Sequence, residues 1–216
     1  MAQDAAGSGD AEAKLTYADL LRANERYDDS AQVLSGLIER SATPDWRLLY
    51  MRGVAYERAG HWPQGERDLK AALELRPDEP ELLNYLGYTW IDRGERLAEA
   101  LGMVERAVAA NPQSGAMVDS LGWAHYRLGD YKKAVDLLEQ AVELEAGDPE
   151  INNHLGDAYW RVGRVLEARF QWAHARDLKP EPDDLKKIVE KIRTGLIDEA
   201  ASAETAKAPK KPGDGG

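Results

Sequence analysis

The sequence predicts an all-α protein, a right-handed α-solenoid of about five helical hairpins followed by a C-terminal capping helix. Two series of glycines support this prediction. The first series contains Gly53, Gly87, Gly122 and Gly156, spaced 34, 35 and 34 residues apart. The second follows it at an interval of seven residues and contains Gly60, Gly94, Gly129 and Gly163. Self-similarity at such a period is typical of repeat arrays, in which each unit packs on its neighbours.

The first helix of each repeat is marked by an apolar residue, a leucine, the first-series glycine and, in most copies, an aromatic residue. The clearest copy is Leu83-x-x-Leu86-Gly87-x-x-Trp90. Spacings of three and four residues place these side chains on one face of a helix. The first-series glycine lets a neighbouring helix approach closely, and the second-series glycine ends the helix.

A second helix follows in each repeat and carries small residues at two recurring positions. These are Gly65, Ala100, Ala134 and Ala168, and then Ala72, Ala107, Ala141 and Ala175. The larger residues between them are expected in the core, namely Leu69, Val104, Leu138 and Trp172. Proline ends three of these helices, at Pro77, Pro112 and Pro180. The single 35-residue step adds one residue near Arg96 or Leu97, in the turn between two helices.

This order of small, large apolar, alanine and proline residues resembles the tetratricopeptide repeat. The resemblance is clear over residues 46–180, and a degenerate earlier hairpin is expected before it. It implies an array over residues 13–182, with hairpins at about 13–44, 46–79, 80–114, 115–148 and 149–182. We expect Asp183-Asp184 to cap a last helix over residues 183–200, which covers the apolar edge of the final repeat.

The composition excludes several classes of function. The net charge of −11 argues against general affinity for nucleic acid, which attracts basic proteins. The chain has no cysteine, so it has no disulfide, thiolate metal site or catalytic thiol. Residues 1–12 and 201–216 contain too few apolar residues to fold and are predicted to be disordered.

The sequence shows no pattern of a transmembrane segment or of a signal peptide. No stretch approaches 18 apolar residues, and the start lacks the basic and apolar regions of a signal peptide. As written, the chain is expected to be cytoplasmic; a fragment of a longer lipoprotein would be periplasmic.

No catalytic site is predicted, and no metal or cofactor. The four histidines lack the spacing of a metal pair, and no glycine-rich phosphate loop is present. His154 and Asp157 are three residues apart and could form a base with its orienting carboxylate, but no nucleophile or metal ligand joins them. We therefore interpret the protein as a non-enzyme.

The resemblance also implies a binding surface, because the first helices of tetratricopeptide arrays line a concave groove that holds extended peptides or partner helices. Aromatic residues and arginine contribute most to interfaces, and asparagine can bond a peptide backbone. Some of the aromatic residues are expected to pack between helices instead. The candidate groove residues are Arg47, Tyr50, Arg58, Asn84, Tyr88, Asp119, Trp123, Tyr126, Arg127, Asn153, Asp157, Trp160 and Arg161.

A closer resemblance covers residues Asn84 to Trp172, including Asn84-Tyr85-Leu86-Gly87-Tyr88 and His154-Leu155-Gly156-Asp157-Ala158-Tyr159-Trp160. These segments are similar to the C-terminal repeats of a bacterial family. Its members include an outer-membrane lipoprotein adaptor that partners a periplasmic carboxyl-terminal processing protease. The implied function is a protein-binding scaffold or adaptor in envelope assembly or proteolysis; a cytosolic co-chaperone or assembly factor is the alternative. The lysines of a co-chaperone carboxylate clamp are missing, and only Asn84 and Asn153 suggest it.

Overall fold

The computed structural model describes the backbone of residues 2–196 and the side chains of residues 10–196. Within this range the chain forms eleven α-helices and no strand, as the sequence predicts. The helices are α1 Ala2–Ala23, α2 Tyr27–Arg40, α3 Trp46–Arg58, α4 Trp62–Leu75, α5 Pro80–Arg93, α6 Leu97–Ala110, α7 Gly115–Arg127, α8 Tyr131–Leu144, α9 Pro149–Arg161, α10 Val165–Asp177 and α11 Pro182–Thr194. They divide into two compact units, residues Met1–Pro112 and Gln113–Gly216.

Unit 1 contains three helical hairpins, α1–α2, α3–α4 and α5–α6. Successive hairpins stack, since α2 packs on α3 and α4 packs on α5. The small and large apolar residues of the second helices are buried as predicted, for example Leu69, Ala72, Val104 and Ala107. The hairpin is therefore the packing unit, and the apolar stripe of each second helix forms the core.

Unit 2 contains the hairpins α7–α8 and α9–α10, with α8 packed on α9 and α11 packed on α10. One core cluster runs through these helices and includes Leu138, Leu155 and Trp172. Ile188 of α11 is buried in the same cluster. The last helix thus covers the apolar edge of the final hairpin.

The two glycine series have the roles that their spacing predicts. A Cβ atom added at Gly122 would lie 2.7 Å from Cγ of Leu138, which confirms that the first series permits close helix packing. The second-series glycines have left-handed φ angles at the ends of the first helices. The extra residue of the 35-residue step is accommodated by Arg96, whose φ of 47° is also left-handed.

The first hairpin differs from the sequence prediction at its start. Helix α1 begins at Ala2, so residues 2–12, predicted to be disordered, are helical. Alanine has the highest helix propensity, and Ala11 packs against the cluster around Leu34. Ala18 and Ser30 stand where the next hairpin has glycines, and the Ser30 hydroxyl donates a hydrogen bond to the Ala18 carbonyl at 2.9 Å.

The last helix also differs in detail. It begins at Pro182, and the predicted caps Asp183 and Asp184 lie in its first turn, where their charge favours the helix dipole. It ends at Thr194 rather than at residue 200, because Gly195 leaves the helical conformation with a φ of 76°. Residues 197–200 and the predicted tail 201–216 lie outside the described residues.

Candidate protein-binding surface

The first helices of unit 2 carry a buried ion pair. His154 Nδ1 of α9 lies 3.0 Å from both carboxylate oxygens of Asp119 of α7. Burial by itself lowers the pKa of His154, but the charge of Asp119 and its hydrogen bond outweigh burial and raise the pKa to about 9. The imidazole is therefore protonated at neutral pH, and it pairs with Asp119 rather than with Asp157.

Three rings stack beside this pair. Trp123 lies between His154, at a centroid distance of 4.0 Å and an angle of 11°, and Tyr126, at 4.5 Å and 9°. Trp123 is only 8% exposed, and its Nε1 has no hydrogen-bond partner among the described residues. Arg161 Nε donates to the Tyr126 hydroxyl at 3.2 Å. Trp123 is thus part of the interior, which differs from the expectation that it lines a groove.

Helix α11 occupies the neighbouring part of the α9 face. Lys191 Nζ donates to Asn153 Oδ1 at 2.9 Å and to Asp157 Oδ2 at 2.7 Å. The other oxygen of Asp157 accepts a hydrogen bond from Trp172 Nε1 at 2.8 Å. Asp119 and Asp157 are therefore buried and paired inside unit 2, although the sequence places both on the groove.

The end of α11 covers a further candidate. Gly195 has a φ of 76° and is buried against the indole of Trp160, where a side chain would not fit. Trp160 and Arg127 are half-buried. Tyr126, Asn153 and Arg161 are half-buried as well, so no predicted groove residue of unit 2 is fully exposed.

The corresponding face of unit 1 is more open. The rings of Tyr50 of α3 and Tyr85 of α5 meet edge to face at a centroid distance of 5.7 Å. The Tyr85 hydroxyl donates to Glu57 at 2.9 Å, and burial together with the Glu57 charge raises the pKa of Tyr85. Arg47 and Arg58 are exposed on either side of this pair along α3.

Helix α5 adds two half-buried candidates to this face. Asn84 and Tyr88 lie four residues apart, so they share one side of the helix. The side-chain oxygen of Asn84 is buried and accepts no hydrogen bond from the described residues. Unit 1 thus brings together five predicted groove residues that internal contacts leave partly or fully accessible.

Lys191 and Glu57 are site residues that the sequence prediction missed. The repeat period itself could have identified Lys191, because first helices of successive repeats contact each other through residues 34 or 35 positions apart. Lys191 follows Asp157 by 34 residues, as His154 follows Asp119 and Tyr85 follows Tyr50 by 35.

In each unit the hairpins stack, and their first helices contact each other through residues 34 or 35 positions apart. This arrangement defines a helical-repeat protein. The tetratricopeptide repeat pattern matches residues 15–61, 50–115 and 120–180. The chain belongs to the tetratricopeptide repeat family. Proteins of this class generally mediate protein–protein interactions, and the fold is typical of non-catalytic scaffolds.

Known proteins agree with this assignment. The chain is 35% identical over 144 residues to TPR repeat-containing protein PA4667 of Pseudomonas aeruginosa. The aligned region covers 66% of this chain and 24% of that protein. This chain therefore spans about a quarter of that relative's length.

Solved structures show the same fold. The thermophilic TPR protein TTC0263 of Thermus thermophilus superposes with a TM-score of 0.71 at 24% identity, over 85% of this chain and 99% of that one. MamA of Desulfovibrio magneticus RS-1 gives a TM-score of 0.64 at 20% identity, over 78% of this chain and 94% of that one. Among residues 2–196, no helix is long and apolar enough to cross a membrane.

Proposed function

We propose that unit 1 binds a segment of a partner protein on the α3–α5 surface, which consists of Arg47, Tyr50, Arg58, Asn84 and Tyr88. The observation that carries this proposal is the difference between the two units. In unit 2 the equivalent face is partly closed by Trp123, by the Asp119–His154 pair and by Lys191 of α11, and none of its predicted groove residues is fully exposed. In unit 1 the arginines are exposed and the other three residues are half-buried.

The chemistry of the α3–α5 surface favours an extended segment with apolar and acidic side chains. Tyr50 and Tyr88 offer rigid aromatic area at a low entropic cost, and the NH2 group of Asn84, whose oxygen is buried, can donate to a peptide carbonyl. Arg47 and Arg58 supply charge for carboxylates. Because the whole chain carries a net charge of −11, these two arginines select the local position of an acidic group rather than attract it over long distances.

Charge reversal on this surface tests the proposal. The full chain with Arg47→Glu and Arg58→Glu is compared with wild type in affinity capture from its native cells, followed by quantitative mass spectrometry. The matched control is Arg40→Glu with Arg67→Glu, which makes the same charge change at exposed positions of the second helices α2 and α4. We expect a partner that wild type and control capture to be lost with the first variant. A partner retained by all three proteins would contradict the α3–α5 surface.

We further propose that this binding serves an adaptor in the bacterial cell envelope. Support comes from the similarity of Asn84–Trp172 to the repeats of the lipoprotein adaptor family. The alternative, a co-chaperone, needs free lysines beside the asparagines, and Lys191, the lysine next to Asn153, already pairs with Asp157.

Cell fractionation of the native protein, followed by co-purification with the carboxyl-terminal processing protease, tests the envelope role. Recovery with cytosolic chaperones and without the protease would contradict it and favour the alternative.

A further inference from the structure

The two most exposed large apolar side chains of the described residues lie together on α10. Leu166 is 81% exposed and Phe170 is 70% exposed. They are four residues apart, so they are neighbours on one helix face, and Arg169 lies beside them at three residues from Leu166. Exposed apolar groups that adjoin one another mark interaction sites more often than single ones do.

Packing between repeats does not account for this pair. The residues one period earlier, on α8, are Lys132 and Asp136, and both are exposed. The other second helices carry Asp28 and Gln32, Pro63 and Arg67, and Ala98 and Gly102 at these positions. The opposite face of α10 packs in the core through Ala168 and Trp172. Leu166 and Phe170 therefore point away from the core at positions that the fold fills with small or polar residues.

Charge distinguishes Arg169 from the other arginines near this face. Arg164 pairs with Glu139 and Glu167, and Arg176 pairs with Asp177. Arg169 is exposed and has no carboxylate within ion-pair distance among residues 10–196. The α10 face (Leu166, Arg169 and Phe170) thus joins two apolar side chains to one unpaired cation.

We propose that the α10 face binds an acidic, apolar segment of a second protein. Two apolar side chains of the segment cover Leu166 and Phe170, and a carboxylate pairs with Arg169. This partner is the one that charge complementarity selects. A second copy of the chain would bring together two net charges of −11 and, in an antiparallel pairing of α10 with itself, would place Arg169 beside Arg169. An anionic membrane would repel the acidic chain.

A selection experiment on the full chain tests this inference, and the probe is a phage-displayed library of random peptides. Binders are selected on wild type and counter-selected on the variant with Leu166→Lys and Phe170→Asp. That variant carries the residues of α8 at equivalent positions, so it is expected to fold, which circular dichroism checks. We expect enriched peptides with two apolar residues one helical turn apart and a neighbouring Asp or Glu. By fluorescence anisotropy, their affinity should fall about tenfold or more with the variant.

Two further variants separate charge from apolar area. Arg169→Glu, a change at an exposed position, should weaken the acidic peptides and strengthen copies in which the acidic residue is replaced by lysine. The second variant adds Lys132→Leu and Asp136→Phe to the counter-selection variant, which moves the apolar pair to α8. On α8 the position of Arg169 is occupied by Val135. This variant should not restore binding of the acidic peptides.

Four results would overturn the proposal. The first is an enriched set without acidic residues, and the second is equal binding to wild type and the counter-selection variant. The third is self-association of the wild type in sedimentation that the variant abolishes, which would assign the face to a second copy. The fourth is variant-sensitive binding to phosphatidylglycerol vesicles, which would assign it to a membrane.

Discussion

His154 of α9 and Asp119 of α7 form a buried ion pair at 3.0 Å, and Trp123 stacks on the imidazole of that pair. The two residues are 35 positions apart, one more than the spacing of Gly122 and Gly156, so the pair links the first helices of successive hairpins in unit 2. An ion pair removed from water depends on both charges, because a single buried charge is costly.

The Asp119–His154 pair makes the stability of unit 2 depend on pH. Burial opposes the charged form of His154, but Asp119, with smaller contributions from Glu150 and Asp157, raises the pKa from its ordinary value of 6.5 to about 9 in the folded state. The folded state therefore binds the proton more tightly than the unfolded state. The resulting stabilisation is complete below pH 6.5 and is lost as the pH rises through about 9.

Urea unfolding followed by circular dichroism measures this loss, which we expect to be on the order of 1–3 kcal/mol. His154→Gln should remove the His154 part of the pH dependence. In Asp119→Asn, an NMR titration should show the His154 pKa lowered, because burial then acts without the partner charge. A His154 signal that titrates near its ordinary pKa in the wild type would contradict the buried pair.

Lys191 should stabilise unit 2 through its two hydrogen bonds to α9. Lys191→Met keeps the apolar stem but leaves Asp157 with Trp172 as its remaining partner, so we expect a loss of about 1–3 kcal/mol in the free energy of unfolding. Lys186→Met is the matched control, since its ion pair with Asp183 is exposed and should contribute less than about 1 kcal/mol. Equal effects of the two changes would show that α11 is not held by Lys191.

Gly156→Ala should destabilise the protein, although alanine favours helices. The added methyl group would meet the buried indole of Trp172, whose position is held by the hydrogen bond to Asp157. We expect a loss of about 1–3 kcal/mol in thermal or urea unfolding. Gly102→Ala on α6 has open space around the new methyl group and should stabilise by about 0.5–1 kcal/mol. A stabilising Gly156→Ala would contradict close packing at the first-series glycines.

Removing one residue of the Arg52–Asp68 ion pair should destabilise unit 1 more than removing both. Arg52 Nε donates to Asp68 at 2.6 Å, and its Nη1 donates to Ser35 of α2 at 3.1 Å, so the guanidinium links α2, α3 and α4. Arg52→Leu leaves Asp68 buried and uncompensated, and we expect a loss of about 3–5 kcal/mol. Replacing both residues by leucine should recover much of that loss in denaturant unfolding. A double variant as unstable as the single one would show that geometry rather than charge is lost.

Much of the fold could be predicted from the sequence because the repeat period is a local pattern. The glycine positions, the alanine positions and the buried residues Leu69, Val104, Leu138 and Trp172 follow from helical spacing alone. The start of α1 could not be predicted from apolar content, because residues 2–12 continue a helix held by contacts further along the chain.

The candidate site could be predicted only in part. Helical spacing identifies the outward side of each first helix, but it does not show which side chains the next helix covers. Tyr88 and Trp123 each follow a leucine and a first-series glycine, yet Trp123 is buried between His154 and Tyr126 whereas Tyr88 is half-buried.

The sequence by itself determined that this protein is an array of helical hairpins, because glycines, alanines and large apolar residues recur at helical spacing with a period of 34–35 residues. Tertiary structure alone decided which of the outward residues are accessible. Contacts one period apart pair Asp119 with His154 and Asp157 with Lys191, and they leave Arg47 and Arg58 exposed. The physical reason is that each pairing depends on the residue that the neighbouring helix presents, and this neighbour is about 35 residues away in the chain.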